Sequence, residues 1–118
     1  FKESYANAWS EASYNHKAFT FVSNYFAEGE GLLLFPITTY DPTYRSVLEV
    51  VKVKTAGGFE KLGSLDHTSL LTEGCAADYE LYGYCSYGGE EMRRGVSVED
   101  YIYAISYGGL TVQSLADL

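Results

Sequence analysis

Four short runs of strand-forming residues fall within about fifty positions of this chain, and the connections between them are too short for anything but antiparallel neighbours. Lys17 to Tyr25 alternates, with Phe19 and Phe21 on one face and Thr20 on the other, as a strand with one buried side would. The sequence Ala27-Glu28-Gly29-Glu30-Gly31 reads as a hairpin connection. Leu32 to Tyr40 is too apolar to face water on either side and reads as a central strand. Pro42 in Asp41-Pro42-Thr43 fixes its own φ and marks a turn. Ser46 to Lys54 follows, its Val51 and Val53 opposed to Lys52 and Lys54, which predicts a solvated outer face on that side. After the turn Ala56-Gly57-Gly58, the polar run Phe59 to Leu65 suits a sheet edge. These four strands make a meander.

A long connection without clear periodicity covers His67 to Glu91. Three more short strands are predicted after it, Arg94 to Val98, Tyr101 to Tyr107 and Leu110 to Ser114, joined at Glu99-Asp100 and Gly108-Gly109. A second meander thus begins and lacks its fourth strand. Phe1 to Tyr14 has no regular pattern and reads as an irregular arm, with Tyr5 and Trp9 four apart. The expected fold class is all-β, built of antiparallel four-stranded meanders with the spacing of β-propeller blades, about two blades of an incomplete ring. The expected organisation is an N-terminal arm at 1–15, a first blade at 16–66, a cysteine-containing loop at 67–92 and a partial second blade at 93–118.

Composition narrows the function classes. With 118 residues the chain suffices for one domain, and 47% apolar content argues against disorder. Sixteen acidic residues against eight basic ones give a net charge of -8, which would repel nucleic acid. No apolar run reaches the eighteen residues of a spanning helix. The chain opens at Phe1, from which a signal peptide, a preceding domain or a truncation upstream is expected. Cys75 and Cys85 lie in one Tyr- and Gly-rich stretch, where a disulfide is the simplest reading and implies an oxidising, extracellular compartment. The alternative is two free thiols sharing a loop.

Three stretches carry a resemblance: RRGVSVEDYIYAISYGGLTVQSL (Arg93 to Leu115), SEASYNHKAFTF (Ser10 to Phe21) and GGFEKLGSLDH (Gly57 to His67). Taken in the order they occupy along the chain, they resemble the recurrent motifs of secreted bacterial and archaeal proteins with a C-terminal β-propeller domain distantly related to WD repeats. The resemblance implies an extracellular propeller and supplies no activity.

The residues that could carry chemistry are few. His16 and His67 flank predicted strands, and with Asp66 they would make a metal site; the competing reading has each imidazole tying strand to loop by hydrogen bonds. Acidic pairs such as Glu28 with Glu30, Asp78 with Glu80, and Glu90 with Glu91 bring oxygen ligands onto loops, yet no calcium-binding spacing is present. There is no Gly-x-Ser-x-Gly elbow and no cysteine in a protease context. Arg93 and Arg94 could hold an anion but sit among Glu90, Glu91, Glu99 and Asp100. The expectation is therefore a non-enzymatic module without cofactor, which binds or scaffolds outside the cell. Its expected partners are further propeller blades, other copies of itself, or a cell-surface protein or glycan. The second reading is a structural subunit whose open meanders are completed by strand or blade exchange between copies, giving a fibre or ring.

Overall fold

The computed structural model describes residues 8–13, 15–39, 45–70, 92–106 and 108–118. Eight strands form two antiparallel sheets: β1 (Ala8–Trp9), β2 (Thr20–Ala27), β3 (Glu30–Thr39), β4 (Arg45–Lys54), β5 (Phe59–Asp66), β6 (Met92–Val98), β7 (Tyr101–Ser106) and β8 (Gly109–Ser114). In the first sheet the meander runs β2-β3-β4-β5, and β1 continues the β2 edge by pairing Ala8 with Thr39 and Trp9 with Thr38. The second sheet has the order β6-β7-β8. This is the all-β, antiparallel, incomplete propeller-like architecture expected from the strand spacing.

The turns explain the meander locally. Ala27 pairs with Glu30, leaving Glu28 and Gly29 as a two-residue loop, and Gly29 takes φ +77°, a left-handed conformation that glycine adopts without strain. Asn24, at φ +54°, accepts a hydrogen bond from the Gly29 amide, 2.8 Å, inside the irregular stretch between Val22 and Ala27. Gly57 and Gly58 also have positive φ in the longer β4–β5 turn, closed by Lys54 N donating to Gly58 O and Gly57 N to Lys54 O.

The sheets pack face to face. The core between them comprises Leu32 and Leu34 of β3, Leu48 and Val50 of β4, Leu65 of β5, Met92 of β6, and Ile102 and Ala104 of β7, with Val22, Tyr25, Phe26, Leu62, Leu115 and Leu118 against its margin. Alternation puts even-numbered residues of β3 and β4 on this inner face. Close approach is achieved at Gly95, where a Cβ would lie 2.5 Å from Leu48 Cδ2 and 3.2 Å from Leu34 Cδ1. Thr20 Oγ1 donates to Gly95 O at 2.8 Å, binding the edge of one sheet to the other.

Several local expectations are corrected. Lys17 and Ala18 belong to a 3₁₀ turn (His16–Ala18) capped by Asn15, so β2 starts only at Thr20. Phe19 and Phe21 are exposed, and it is the Thr20 and Val22 side that meets the second sheet. Strand β4 is buried on both faces from Ser46 to Val51, and Lys52, instead of lying on a solvated outer face, shares the inner-face parity of Leu48 and Val50, its ammonium 4.6 Å from the centre of the Phe26 ring. Gly109 pairs with Ser106 and opens β8, so the last hairpin turn lies one residue earlier than Gly108-Gly109. The arm contains a strand, β1, that its mixed sequence did not signal. Cys75 and Cys85, Asp78, Glu80, Glu90 and Glu91 lie outside the described residues.

Candidate functional site

Each end of the sheet pair collects a distinct set of polar groups, because consecutive antiparallel strands alternate in direction and return their turns to the same end. At one end, where β5 finishes and β6 begins, five buried or half-buried polar side chains meet between the sheets. His67, fully buried, places Nδ1 2.6 Å from Ser106 Oγ and Nε2 2.6 Å from Thr111 Oγ1. Neutral imidazole carries one proton, so one nitrogen donates and the other accepts, and a hydroxyl can serve either role. Ser106 Oγ additionally accepts from the Gly108 amide at 3.1 Å.

Beside it, Thr38 and Ser46 are cross-strand partners on β3 and β4 whose hydroxyls are 3.1 Å apart, and Ser46 Oγ accepts from the Met92 amide of the second sheet. The Ser46 backbone is held too: its carbonyl accepts from His67 N at 3.0 Å and its amide donates to Thr68 Oγ1 at 3.0 Å. Every one of these links either crosses the sheet interface or braces a residue that does. Burial lowers the His67 pKa from its ordinary value, and the charge of Asp66 partly opposes the shift.

The candidate metal residues are placed as follows. Asp66 shares the outer face of β5 with its pair mate Val47, while His67 turns inward. The Asp66 carboxylate accepts from Thr68 N at 2.8 Å and from the Thr68 hydroxyl, and pairs with Arg45 at 3.6 Å. His16 is exposed on the 3₁₀ turn before β2. Among the described residues no group of three His, Cys, Asp or Glu side chains is arranged to hold a metal ion. Both imidazole nitrogens of His67 are taken by hydroxyls, the arrangement of a structural tie.

A Ser–His pair at 2.6 Å is also the geometry of an activated nucleophile, but three features of this one work against that chemistry. The ring is fully buried, its second nitrogen meets a hydroxyl where a triad would have a carboxylate, and Asp66 is committed to Thr68 and Arg45. The sequence named His67; what it missed was Ser106 and Thr111, about forty residues downstream, since nothing local ties a hydroxyl in one sheet to a histidine in another.

At the opposite end three turns come together. Thr55 N donates to Gly29 O at 2.9 Å, joining the β4–β5 turn to the β2–β3 turn. The Tyr25 hydroxyl donates to Glu99 O, joining β2 to the β6–β7 turn of the second sheet. Burial raises the Tyr25 pKa, and the charge of Asp100 adds to the shift, so this hydroxyl keeps its proton. Glu28, Glu99 and Asp100 are exposed on these turns and give this end an acidic surface. Arg93 and Arg94 lie on β6, before this turn.

A family model described as a β-propeller domain matches residues 1–118. No curated protein and no solved structure matches the chain.

Proposed function

The chain belongs to the β-propeller domain family, and from that membership we propose that it serves as a non-enzymatic extracellular module that binds a surface protein or glycan through its turns. The observation that carries this reading is the division of the polar groups between the two ends. The side chains with catalytic potential, His67, Ser46 and Ser106, are spent on fastening the sheets, while the turns at 28–29, 55–58 and 99–100 are held together and face solvent. Loops fixed on a rigid sheet pair are where binding residues concentrate.

The closer kinship with secreted bacterial and archaeal propellers distantly related to WD repeats belongs to the same proposal. So does a bridge between Cys75 and Cys85, which would suit an oxidising compartment. Thiol titration of the denatured chain before and after reduction tests the bridge: none before and two after agrees with it, two before refutes it.

The binding role is tested on an array of glycans and of cell-surface ectodomains, using the intact chain and a Glu28→Lys, Asp100→Lys variant. Binding by the intact chain, lost in a variant of unchanged thermal stability, is the expected result. Hydrolysis of a peptide or glycan panel that disappears in His67→Gln would overturn the non-enzymatic reading.

A further inference from the structure

The tip of the last hairpin, where β7 gives way to β8, is held to the first sheet at few points. Its described residues are Ser106, Gly108, Gly109, Leu110 and Thr111, and none of them is buried. Among the described residues, the hydrogen bonds that join β7 and β8 to the first sheet are those of His67, Nδ1 to Ser106 Oγ and Nε2 to Thr111 Oγ1. Gly108 lies against the backbone of Leu70, where an added Cβ would stand 3.2 Å from the Leu70 carbonyl carbon. The segment leaving β5 thus grips the tip with one ring and one backbone contact.

Strand β6, on the far side of β7, is fastened differently. Met92 N donates to Ser46 Oγ, Thr20 Oγ1 donates to Gly95 O at 2.8 Å, and the Tyr25 hydroxyl donates to Glu99 O at the opposite turn. Amides and aliphatic hydroxyls carry no charge at any ordinary pH, and Tyr25 keeps its proton. Among the described residues, therefore, only the bonds of His67 cross the sheets through a group that titrates between about pH 5 and 8.

The geometry of those bonds suits one protonation state. In the neutral ring one nitrogen accepts, so one of the two hydroxyls donates into it. The imidazolium has no acceptor: the hydroxyl that donated loses its partner, and Ser106 Oγ, which already accepts from Gly108 N at 3.1 Å, must accept from Nδ1 as well. The enclosed charge also finds little compensation. From the first sheet its charged neighbour is Asp66, whose carboxylate is shared with Arg45 and Thr68. The second sheet sets Met92, Ser106 and Thr111 at this end, all uncharged, and Arg93 and Arg94 follow on β6. The lowered pKa of the buried ring agrees with this setting.

We propose that His67 is an acid-released clasp: neutral, it holds the β7–β8 tip against the segment that follows β5, and protonated, it lets residues 106–111 peel away while β6 and the leucine core stay docked. A solvated imidazole has a pKa of about 6.5, so each unit by which the clasped ring lies below that value makes the open tip about tenfold more populated at low pH. Opening stays local because the tip buries none of its described residues, whereas Ile102 and Ala104 further along β7 are fully buried. The inference concerns the fastening of the sheets and is independent of what the turns at the other end bind.

NMR on the 118-residue chain, from about pH 8 to about pH 5, reads the outcome in three signals. These are the ring shifts of His67, cross-relaxation between its ring and the Thr111 methyl group, and amide exchange corrected for its intrinsic pH dependence. The expected ring midpoint is below about 6.5, and the cross-relaxation is expected to vanish along the same curve. Exchange at Ser106, Leu110 and Thr111 is expected to be at least about tenfold faster at the acid end, with Leu34 and Val50 holding their protection. His67→Gln, which retains a donor and an acceptor, is expected to abolish the response, and His16→Gln, on the exposed 3₁₀ turn, to retain it. If His67→Gln does not fold, the wild-type titration decides alone. A contact with Thr111 that outlasts protonation, a ring still neutral at the acid end, or a response lost in His16→Gln would overturn the proposal. So would exchange that rises by the same factor at Leu34 and Val50, because the whole fold would then be opening instead of the tip.

Discussion

His67 Nδ1 and Ser106 Oγ, 39 residues apart in sequence, sit 2.6 Å from each other between the two sheets, and the opposite ring nitrogen is held by Thr111. One imidazole thus joins the end of β5 to both β7 and β8. Its geometry accounts for burying a titratable ring between the sheets, since each polar atom that loses water gains a hydroxyl.

Replacing His67 by alanine removes both bonds, strands two hydroxyls and leaves a cavity. The expected cost is about 2 to 4 kcal/mol of folding free energy, read as a lower denaturant midpoint with unchanged slope. A loss below about 0.5 kcal/mol would show that the contact is not formed in solution.

Stability should depend on pH through the same residue. The folded-state pKa of His67 is lowered by burial, against an unfolded value of about 6.5. As pH falls through 6.5 the unfolded chain takes up a proton first, so stability declines until the lowered folded pKa is passed, and it is fully present above 6.5. Unfolding measured from pH 8 to 5 should show this slope in wild type and a reduced one in His67→Gln, whose comparison cancels the other titrating groups.

Gly95 lets the second sheet approach the leucines of the first closely. A methyl group there would stand 2.5 Å from Leu48 Cδ2 and 2.9 Å from Leu48 Cδ1, so Gly95→Ala forces the leucine or the sheet to move. The expected loss is about 1 to 3 kcal/mol, measured by chemical denaturation. Gly57→Ala makes a useful contrast, because its Cβ would meet nothing within 4 Å and only the strain of φ +109° is added.

Glu49 is buried in the middle of β4, and its carboxylate lies 2.8 Å from Lys61 Nζ on the neighbouring strand, whose side chain is 44% exposed. Lys61→Met leaves a buried carboxylate without this cation. Exposure of the lysine screens the pair, so the expected loss is about 1 to 2 kcal/mol rather than the several kcal/mol of a fully buried pair. The double variant Lys61→Met, Glu49→Gln should recover part of it.

The strands were legible because their signals are local. Gly29, Gly57 and Gly58 adopt the positive φ that turns require, and the seven main strands occur within a few residues of the runs that announce them. The exception, β1, is two residues long and exists through its pairing with Thr38 and Thr39, a partner thirty residues away. The site was half legible. A lone histidine beside a strand is visible in the sequence, but whether it binds metal or ties two sheets depends on what the tertiary packing sets opposite it.

Alternation and turn chemistry by themselves determined that this chain forms antiparallel meanders with blade-like spacing, since both act between residues a few positions apart. Which face of each strand became interior was decided only when the sheets met. Phe21 looks like core in sequence yet lies outside, while Thr20, with a hydroxyl that reaches Gly95 O, faces the partner sheet. Both faces of that strand satisfy the period of two, and the choice between them is made by long-range contacts: a glycine that admits a leucine, and a histidine that finds two hydroxyls.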